Sequence, residues 1–143
     1  MKREEWKSRW KEEEAQAHIQ GWDFSHIQGR FEEEHDLPWN YGAVVREYLC
    51  GDMTILDYDT GGGEFLLSLD HPRERMAATE GYPPNVRLCE QRLQPLGITF
   101  RECADPGAVP FPDGTFDCVL NRHGSFNADE LYRLLKKGGV FIT

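Results

Sequence analysis

The stretch from Thr54 to Leu67 constrains the fold most, because a short apolar run leads through an acidic residue into three consecutive glycines. An apolar segment with a helical pattern follows immediately. Glycines in such a loop allow positive φ and close approach of a ligand, while free N–H groups at a helix start favour electron-rich ligand atoms. A glycine cluster by itself also marks a plain turn. The stretch therefore predicts a strand, a tight loop and a helix, with the loop as a candidate nucleotide site.

A second short strand, Met76 to Glu80, follows this unit and ends in an acidic residue. In an open α/β sheet, a carboxylate at the end of the second strand can accept hydrogen bonds from both ribose hydroxyls. The glycine loop and the ribose acid occur in the order that a nucleotide-binding domain requires.

The order of these features resembles the class I methyltransferases that use S-adenosylmethionine, whose first strand leads into an acidic-x-Gly-x-Gly-x-Gly loop. The matching residues are Asp57, Asp59, Gly61 and Gly63, so an aspartate occupies the first glycine position. The dinucleotide pattern Gly-x-Gly-x-x-Gly needs one more residue before its last glycine, which disfavours a nicotinamide-dependent reductase. The resemblance covers roughly Asp52 to Thr143 and continues over residues 78–85, 104–105, 110–117 and 134–143.

The resemblance implies S-adenosyl-L-methionine as the cofactor. Within it, Glu80 would hold the ribose and Asp105 the adenine amino group, although a loop aspartate that caps backbone N–H groups explains Asp105 equally well. Asn121 and Arg122 would shape the methionine end. The implied cofactor-binding residues are Asp57, Asp59, Thr60, Gly61, Gly62, Gly63, Glu80, Gly81, Tyr82, Ala104, Asp105 and Asn121.

Alternating strand and helix patterns predict an α/β fold, a three-layer Rossmann-like sandwich with a mostly parallel sheet and right-handed crossovers. The resemblance implies the strand order 3-2-1-4-5. The later strands are predicted at Ile98–Cys103, at Phe116–Asn121 and from Val140 onward, with helices after Asn40, Pro83 and Asn127. Lys136 and Lys137 suit the negative end of the last helix, and Gly138 suits its break.

The sequence divides into an N-terminal helical arm, residues 1–50, and an S-adenosylmethionine-binding domain, residues 51–143. Trp6 and Trp10 are spaced to share one face of a helix that Gly21 ends, and such exposed indoles predict packing on the domain or on a partner chain. The resembled enzymes continue into a sixth and a seventh strand, so the domain is expected to be incomplete at its C-terminus. A homodimer through the fifth strand or the arm is an open alternative.

His123, after the fourth predicted strand, is a weak candidate for substrate contact or for a general base. Hydrogen bonding of His123 or Arg122 to neighbouring loops is the competing interpretation. No other catalytic residue is indicated, because methyl transfer mainly requires alignment of nucleophile, methyl and sulfur. The remaining histidines (His18, His26, His35 and His71) and the four cysteines have no spacing typical of a metal site.

A net charge of -9 makes a nucleic-acid backbone an unsuitable general partner, and a protein substrate or a small molecule suits this charge better. The first residues are too charged for a signal peptide, and no apolar run reaches the length of a membrane span, so the chain is expected to be soluble and cytoplasmic.

The sequence thus predicts an S-adenosylmethionine-dependent methyltransferase, or its cofactor-binding part, with an undetermined small-molecule acceptor. The alternative is a non-catalytic Rossmann-like binding or dimerisation module in which cofactor binding is weak or lost. Asp59 supports the alternative, since it adds a negative charge near the expected place of the methionine carboxylate.

Overall fold

Five parallel strands form one sheet in the order β3-β2-β1-β4-β5, in a computed structural model that describes residues 3–17, 19–34 and 36–143. This confirms the predicted Rossmann-like topology. Since the order reverses between β1 and β4, the carboxyl ends of these two strands flank the position where ligands bind in open α/β sheets. The strands are β1 (Ile55–Asp57), β2 (Met76–Glu80), β3 (Thr99–Glu102), β4 (Phe116–Leu120) and β5 (Leu135–Ile142).

The described residues form five helices, and all of them except the first place buried apolar side chains against the sheet. They are α1 (Arg3–Gln16), α2 (Tyr41–Tyr48), α3 (Glu64–Leu67), α4 (Pro83–Leu93) and α5 (Ala128–Leu134), with short 3-10 turns at Ser25–Ile27, Arg73–Arg75 and Gln94–Leu96. The predicted caps are confirmed. The Asn40 side chain accepts from the backbone N–H of Ala43 at 3.0 Å, and Asn127 accepts from Asp129 and Glu130 at 2.9 and 3.1 Å.

The three central strands, β1, β2 and β4, are buried on both faces, as expected inside a parallel sheet, whereas the edge strands β3 and β5 are more exposed. Alternate residues of β1 enter two separate apolar clusters: Ile55 packs with Leu66 on one face, and Leu56 packs with Phe116 on the other. Leu56 is paired with Ala77 of β2 and with Val119 of β4, so the centre of the sheet is apolar throughout. This rigid centre fixes the loops at its carboxyl edge.

The prediction for the last helix and strand was wrong in detail. Helix α5 ends at Leu134, and β5 begins at Leu135 rather than at Val140. The terminal helical carbonyls accept N–H groups from the loop before β4, which ends the helix through tertiary contacts. Residues 136–139 form an irregularity in β5, where Gly138 has a φ of 83°, and Lys136 there pairs with Asp117 at 2.7 Å.

The N-terminal region also differs from the prediction. Helix α1 ends at Gln16, before Gly21, which lies in a separate turn with a φ of 59°. Trp6 and Trp10 do share one face, with ring centroids 6.3 Å apart, but no residue of α1 is buried. The segment after α1, rather than α1 itself, packs on the domain.

The helix after the glycines, α3, spans only four residues. The described residues do not include Met1 and Lys2, which precede α1, nor His18 and His35. None of the helices in the described part of the chain is both long enough and apolar enough to cross a membrane.

Candidate functional site

The loop after β1 is held in a tight bend by its own polar side chains. The hydroxyl of Thr60 donates to a carboxylate oxygen of Asp57 at 2.5 Å, and the Thr60 N–H donates to the Thr79 carbonyl of β2 at 2.9 Å. Gly61 and Gly63 have φ values of 69° and 78°, which only glycine adopts readily. The bend is thereby fixed against the end of β2.

Asp57 lies beneath this bend and is only 3 % exposed. Burial raises its pKa to about 7, while the Thr60 hydrogen bond and the Arg122 charge act in the opposite direction. The Asp57 carboxylate accepts the hydrogen bond from Thr60 in the loop, so Asp57 orders the bend.

Glu80, at the carboxyl end of β2, presents an oriented carboxylate on the same edge of the sheet as the bend. Its Oε1 accepts from the backbone N–H groups of Gly81 and Tyr82 at 2.8 and 2.9 Å, and its Oε2 accepts from the Asn85 amide at 3.3 Å. Gly81 is required here, because a Cβ atom at this position would lie 2.6 Å from the Cys103 carbonyl. The carboxylate is therefore fixed before any ligand arrives.

A cavity of about 280 Å³ opens between the bend, the end of β2 and the end of β3. Asp59 and Glu80 lie in its wall together with the backbone of residues that follow both strands. Its lining residues are Tyr58, Asp59, Thr79, Glu80, Gly81, Tyr82, Cys103, Ala104, Pro106 and Ser125. We refer to this space as the adenosyl cavity, after the nucleoside that the resemblance in the sequence implies.

Asp59 occupies the first glycine position of the resembled loop. Its backbone adopts a conformation that glycine favours, with a φ of 58°. Its carboxyl group lies beside Glu80 and against Gly124, where an added Cβ would meet the Asp59 side chain. Partial burial, and then the neighbouring Glu80 carboxylate, raise the pKa of Asp59 to about 6. Two acidic groups thus share the wall of the adenosyl cavity.

Trp22 covers the outer face of the bend. A Cβ atom added at Gly61 would lie 2.8 Å from Nε1 of the indole, so only glycine fits beneath it. The indole also packs against the His123 ring, with centroids 4.8 Å apart. Desolvation and the charge of Arg122 lower the pKa of His123, which keeps its imidazole neutral near pH 7.

Asn121 follows β4 and is fully buried. Its backbone N–H donates to the Ile142 carbonyl at 3.0 Å, but neither polar atom of its side chain has a hydrogen-bond partner among the described residues. Buried amides without partners are rare in folded proteins and call for an explanation. A polar ligand at the β1–β4 switch point would supply one.

Residues 56–143 match the family model described as a methyltransferase domain. The chain belongs to this methyltransferase family.

Two curated methyltransferases are similar to the chain. A demethylmenaquinone methyltransferase of Thermus thermophilus is 35% identical over 118 residues, which cover 76% of this chain and 54% of that protein. The ubiquinone/menaquinone biosynthesis C-methyltransferase UbiE of Pasteurella multocida is 28% identical over 102 residues, covering 62% and 38%. The chain spans about half the length of these relatives or less.

A solved structure supports the same fold. The YcgJ protein of Bacillus subtilis superposes with a TM-score of 0.58 at 22% identity, covering 71% of this chain and 47% of that chain. At this identity the likeness concerns the fold alone.

The methyltransferase fold brings most of the predicted cofactor residues together. Asp59, Glu80, Gly81, Tyr82 and Ala104 line the adenosyl cavity, whereas Thr60 and the three glycines form the bend beside it. Asp105 is exposed and lies outside the lining. Its carboxylate accepts from the Gly107 N–H at 2.8 Å, which is the competing interpretation of this residue. Its contact with adenine stays a prediction.

Sequence reasoning did not identify Asn85 as part of the site. This buried residue accepts from the Gly21 N–H at 2.6 Å and donates to Glu80, so it joins the Trp22 segment to the carboxylate. The sequence did contain one signal for this role. An asparagine in the first turn of a helix can form hydrogen bonds with neighbouring segments. Trp22 was likewise not identified as a residue of the site.

Proposed function

We propose that the chain binds S-adenosylmethionine and is the cofactor-binding part of a methyltransferase that acts on a small molecule. The observation that carries the proposal is the convergence of the glycine bend and the Glu80 carboxylate on one cavity. Family membership supports the cofactor, and the unpartnered Asn121 amide supports a polar ligand at the switch point.

Each part of the site suits one part of the cofactor. The adenosyl cavity, at about 280 Å³, suits a nucleoside, and Glu80 has lone pairs left to accept ribose hydroxyls. Asn121 does not line the adenosyl cavity, but its buried amide has one acceptor and two donors without partners, beside the expected place of the polar methionine end. S-adenosylmethionine supplies an electrophilic methyl group on sulfur.

The residues of the chain then position the partners and exclude water. Trp22 covers the bend, and the loop that begins at Asn121 places the neutral imidazole of His123 beside it. Alignment of a nucleophile with the methyl group, in a space shielded by these rings, is the main requirement for methyl transfer. His123 can accept a proton from an acceptor that must lose one.

Calorimetric titration tests the proposal directly. S-adenosylmethionine and its demethylated product S-adenosylhomocysteine are both expected to bind, whereas NADH should not, because the bend lacks the spacing of a dinucleotide site. Binding of NADH in place of the other two would overturn the proposal.

Removing the charge of Asp59 is expected to tighten S-adenosylhomocysteine binding at pH 8. Ionised Asp59 adds a second negative charge beside Glu80, which disfavours the methionine carboxylate by roughly ten- to a hundredfold in affinity. Both Asp59→Gly and Asp59→Asn should show the gain, and asparagine also tolerates the positive φ. Because the pKa of Asp59 is about 6, the gain should shrink at pH 5, where the native side chain is protonated.

5′-Methylthioadenosine is the control ligand for this experiment, since it lacks the methionine carboxylate. Its affinity should change little with either substitution. Weaker S-adenosylhomocysteine binding by both variants would show instead that Asp59 attracts the cofactor's ammonium group.

A further inference from the structure

Asn85, in the first turn of α4, joins two parts of the protein that are far apart in the sequence. Its side-chain oxygen accepts from the Gly21 N–H at 2.6 Å, and its amide nitrogen donates to Oε2 of Glu80 at 3.3 Å. The residue is only 8 % exposed, and both hydrogen bonds are buried. Because a backbone N–H only donates and a carboxylate accepts, the two partners determine which way the amide points. The orientation of Asn85 therefore depends on both of them.

Gly21 attaches the N-terminal region to the domain. Among the described residues of the range 3–40, it is the only buried one. A Cβ atom added to it would lie 2.5 Å from Oε1 of Glu64, at the start of α3, so the backbone itself packs there. Gln20 adds one hydrogen bond, from its side chain to a backbone carbonyl of α4 at 3.3 Å. The attachment thus centres on the hydrogen bond to Asn85.

Trp22 follows Gly21 directly, so the same attachment places its indole. The ring lies over Gly61 of the bend and packs against His123. It is still 41 % exposed, and it does not line the adenosyl cavity. The packing of Trp22 can therefore act on a nucleoside in that cavity only through other residues.

Glu80 is at the other end of this connection. The backbone N–H groups of Gly81 and Tyr82 hold its Oε1, whereas the Asn85 amide donates to its Oε2. At 3.3 Å the bond from Asn85 is long for an N–H donor, so its strength depends on small movements of the amide. The ribose hydroxyls of a nucleoside would donate to the lone pairs that remain on this carboxylate. Asn85 therefore helps to set the direction of those lone pairs.

We propose that Asn85 is a positioning residue that couples the packing of Trp22 on the bend to the binding of ribose hydroxyls by Glu80. The inference rests on the proposed function, in which the adenosyl cavity takes an adenosyl ligand. While Gly21 is bound, the Asn85 amide is fixed and orients the carboxylate. When Gly21 leaves, the amide is free to turn away. Such coupling is reciprocal, so a ligand with free ribose hydroxyls also holds the segment around Trp22 against the domain.

Calorimetry with adenosine tests this inference, with 2′,3′-dideoxyadenosine as a ligand that lacks the ribose hydroxyls. Asn85→Ala should weaken adenosine binding roughly tenfold, because the carboxylate loses an orienting hydrogen bond, and should change dideoxyadenosine binding little. Equal weakening of both ligands would show a purely structural role and would overturn the inference. The matched control is Gln91→Ala, which removes an amide from an exposed position on the same helix and should leave both affinities unchanged.

Trp22→Ala tests the coupling at an exposed position and leaves Asn85 in place. It should weaken adenosine binding about fivefold in the native chain and should add no further loss to the Asn85→Ala variant. Equal losses in both backgrounds would mean that Trp22 acts through the bend, contrary to the inference. Should Asn85→Ala fail to fold, Asn85→Asp at pH 8 takes its place, since aspartate keeps an acceptor for Gly21 but offers Glu80 no donor.

Titrations of the native chain separate this inference from the proposed function. If the native chain binds S-adenosylhomocysteine and adenosine, but neither Asn85→Ala nor Trp22→Ala weakens adenosine binding, the proposed function stands and the coupling is refuted. If the native chain binds no adenosyl ligand, both are refuted. An effect of Trp22→Ala on adenosine that is absent with dideoxyadenosine supports coupling through Glu80.

Discussion

Replacing Glu80 with glutamine should weaken S-adenosylhomocysteine binding by about a hundredfold. Hydrogen bonds to a charged acceptor contribute roughly 1.5 to 3 kcal/mol each, and this carboxylate is positioned to accept from the ribose. Glutamine can retain the N–H groups of Gly81 and Tyr82, but its amide would then face the donor amide of Asn85. Asn85 cannot simply reverse, since its oxygen already binds the Gly21 N–H. Calorimetry of the variant measures the loss.

The matched control is Glu102→Gln. Glu102 is the direct neighbour of Glu80 in the sheet, at the end of β3, but it is exposed and lies outside the adenosyl cavity. The same loss of charge at Glu102 should leave the affinity for S-adenosylhomocysteine nearly unchanged. Equal dissociation constants for the Glu80 variant and the native chain would refute the assignment of this carboxylate to the ribose.

Replacing Asp57 with asparagine should raise the free energy of unfolding at pH 8 by an amount on the order of 3 kcal/mol. Burial raises the pKa of Asp57 to about 7 in the folded chain, against about 3.9 in an unfolded one. The folded state therefore holds this proton more tightly. The resulting stabilisation is fully present below about pH 4 and is lost as the pH rises through 7. Asparagine has no charge to bury and can still accept from Thr60.

Urea unfolding of both proteins at pH 5 and pH 8 measures this difference, which should be largest at pH 8. Asp70→Asn, which removes the same charge at an exposed position beyond α3, is the matched control. A variant less stable than the native chain at pH 8 would show that the ionised Asp57 is stabilised by its surroundings, contrary to the raised pKa.

Local chemistry explains why much of the site could be predicted from the sequence. The bend needs residues that accept positive φ directly after a buried strand, and the ribose acid needs a carboxylate at the end of the next strand. Both requirements are met within a few consecutive residues, at Gly61 and Gly63 and at Glu80. Helix caps at Asn40 and Asn127 are equally local. The alternation of strands and helices, together with the resemblance to a family, predicted the confirmed strand order.

Contacts between distant parts of the chain were decided only by the tertiary structure. Trp22 covers Gly61, Asn85 links Gly21 to Glu80, and Arg122 lies over rings from two helices. No periodicity encodes such pairs, because each depends on how the segments pack. The same reason explains the early end of α5, whose last carbonyls bind N–H groups from another loop. Residue types in sequence order thus determined the sheet and its bend, while packing determined what surrounds the bend.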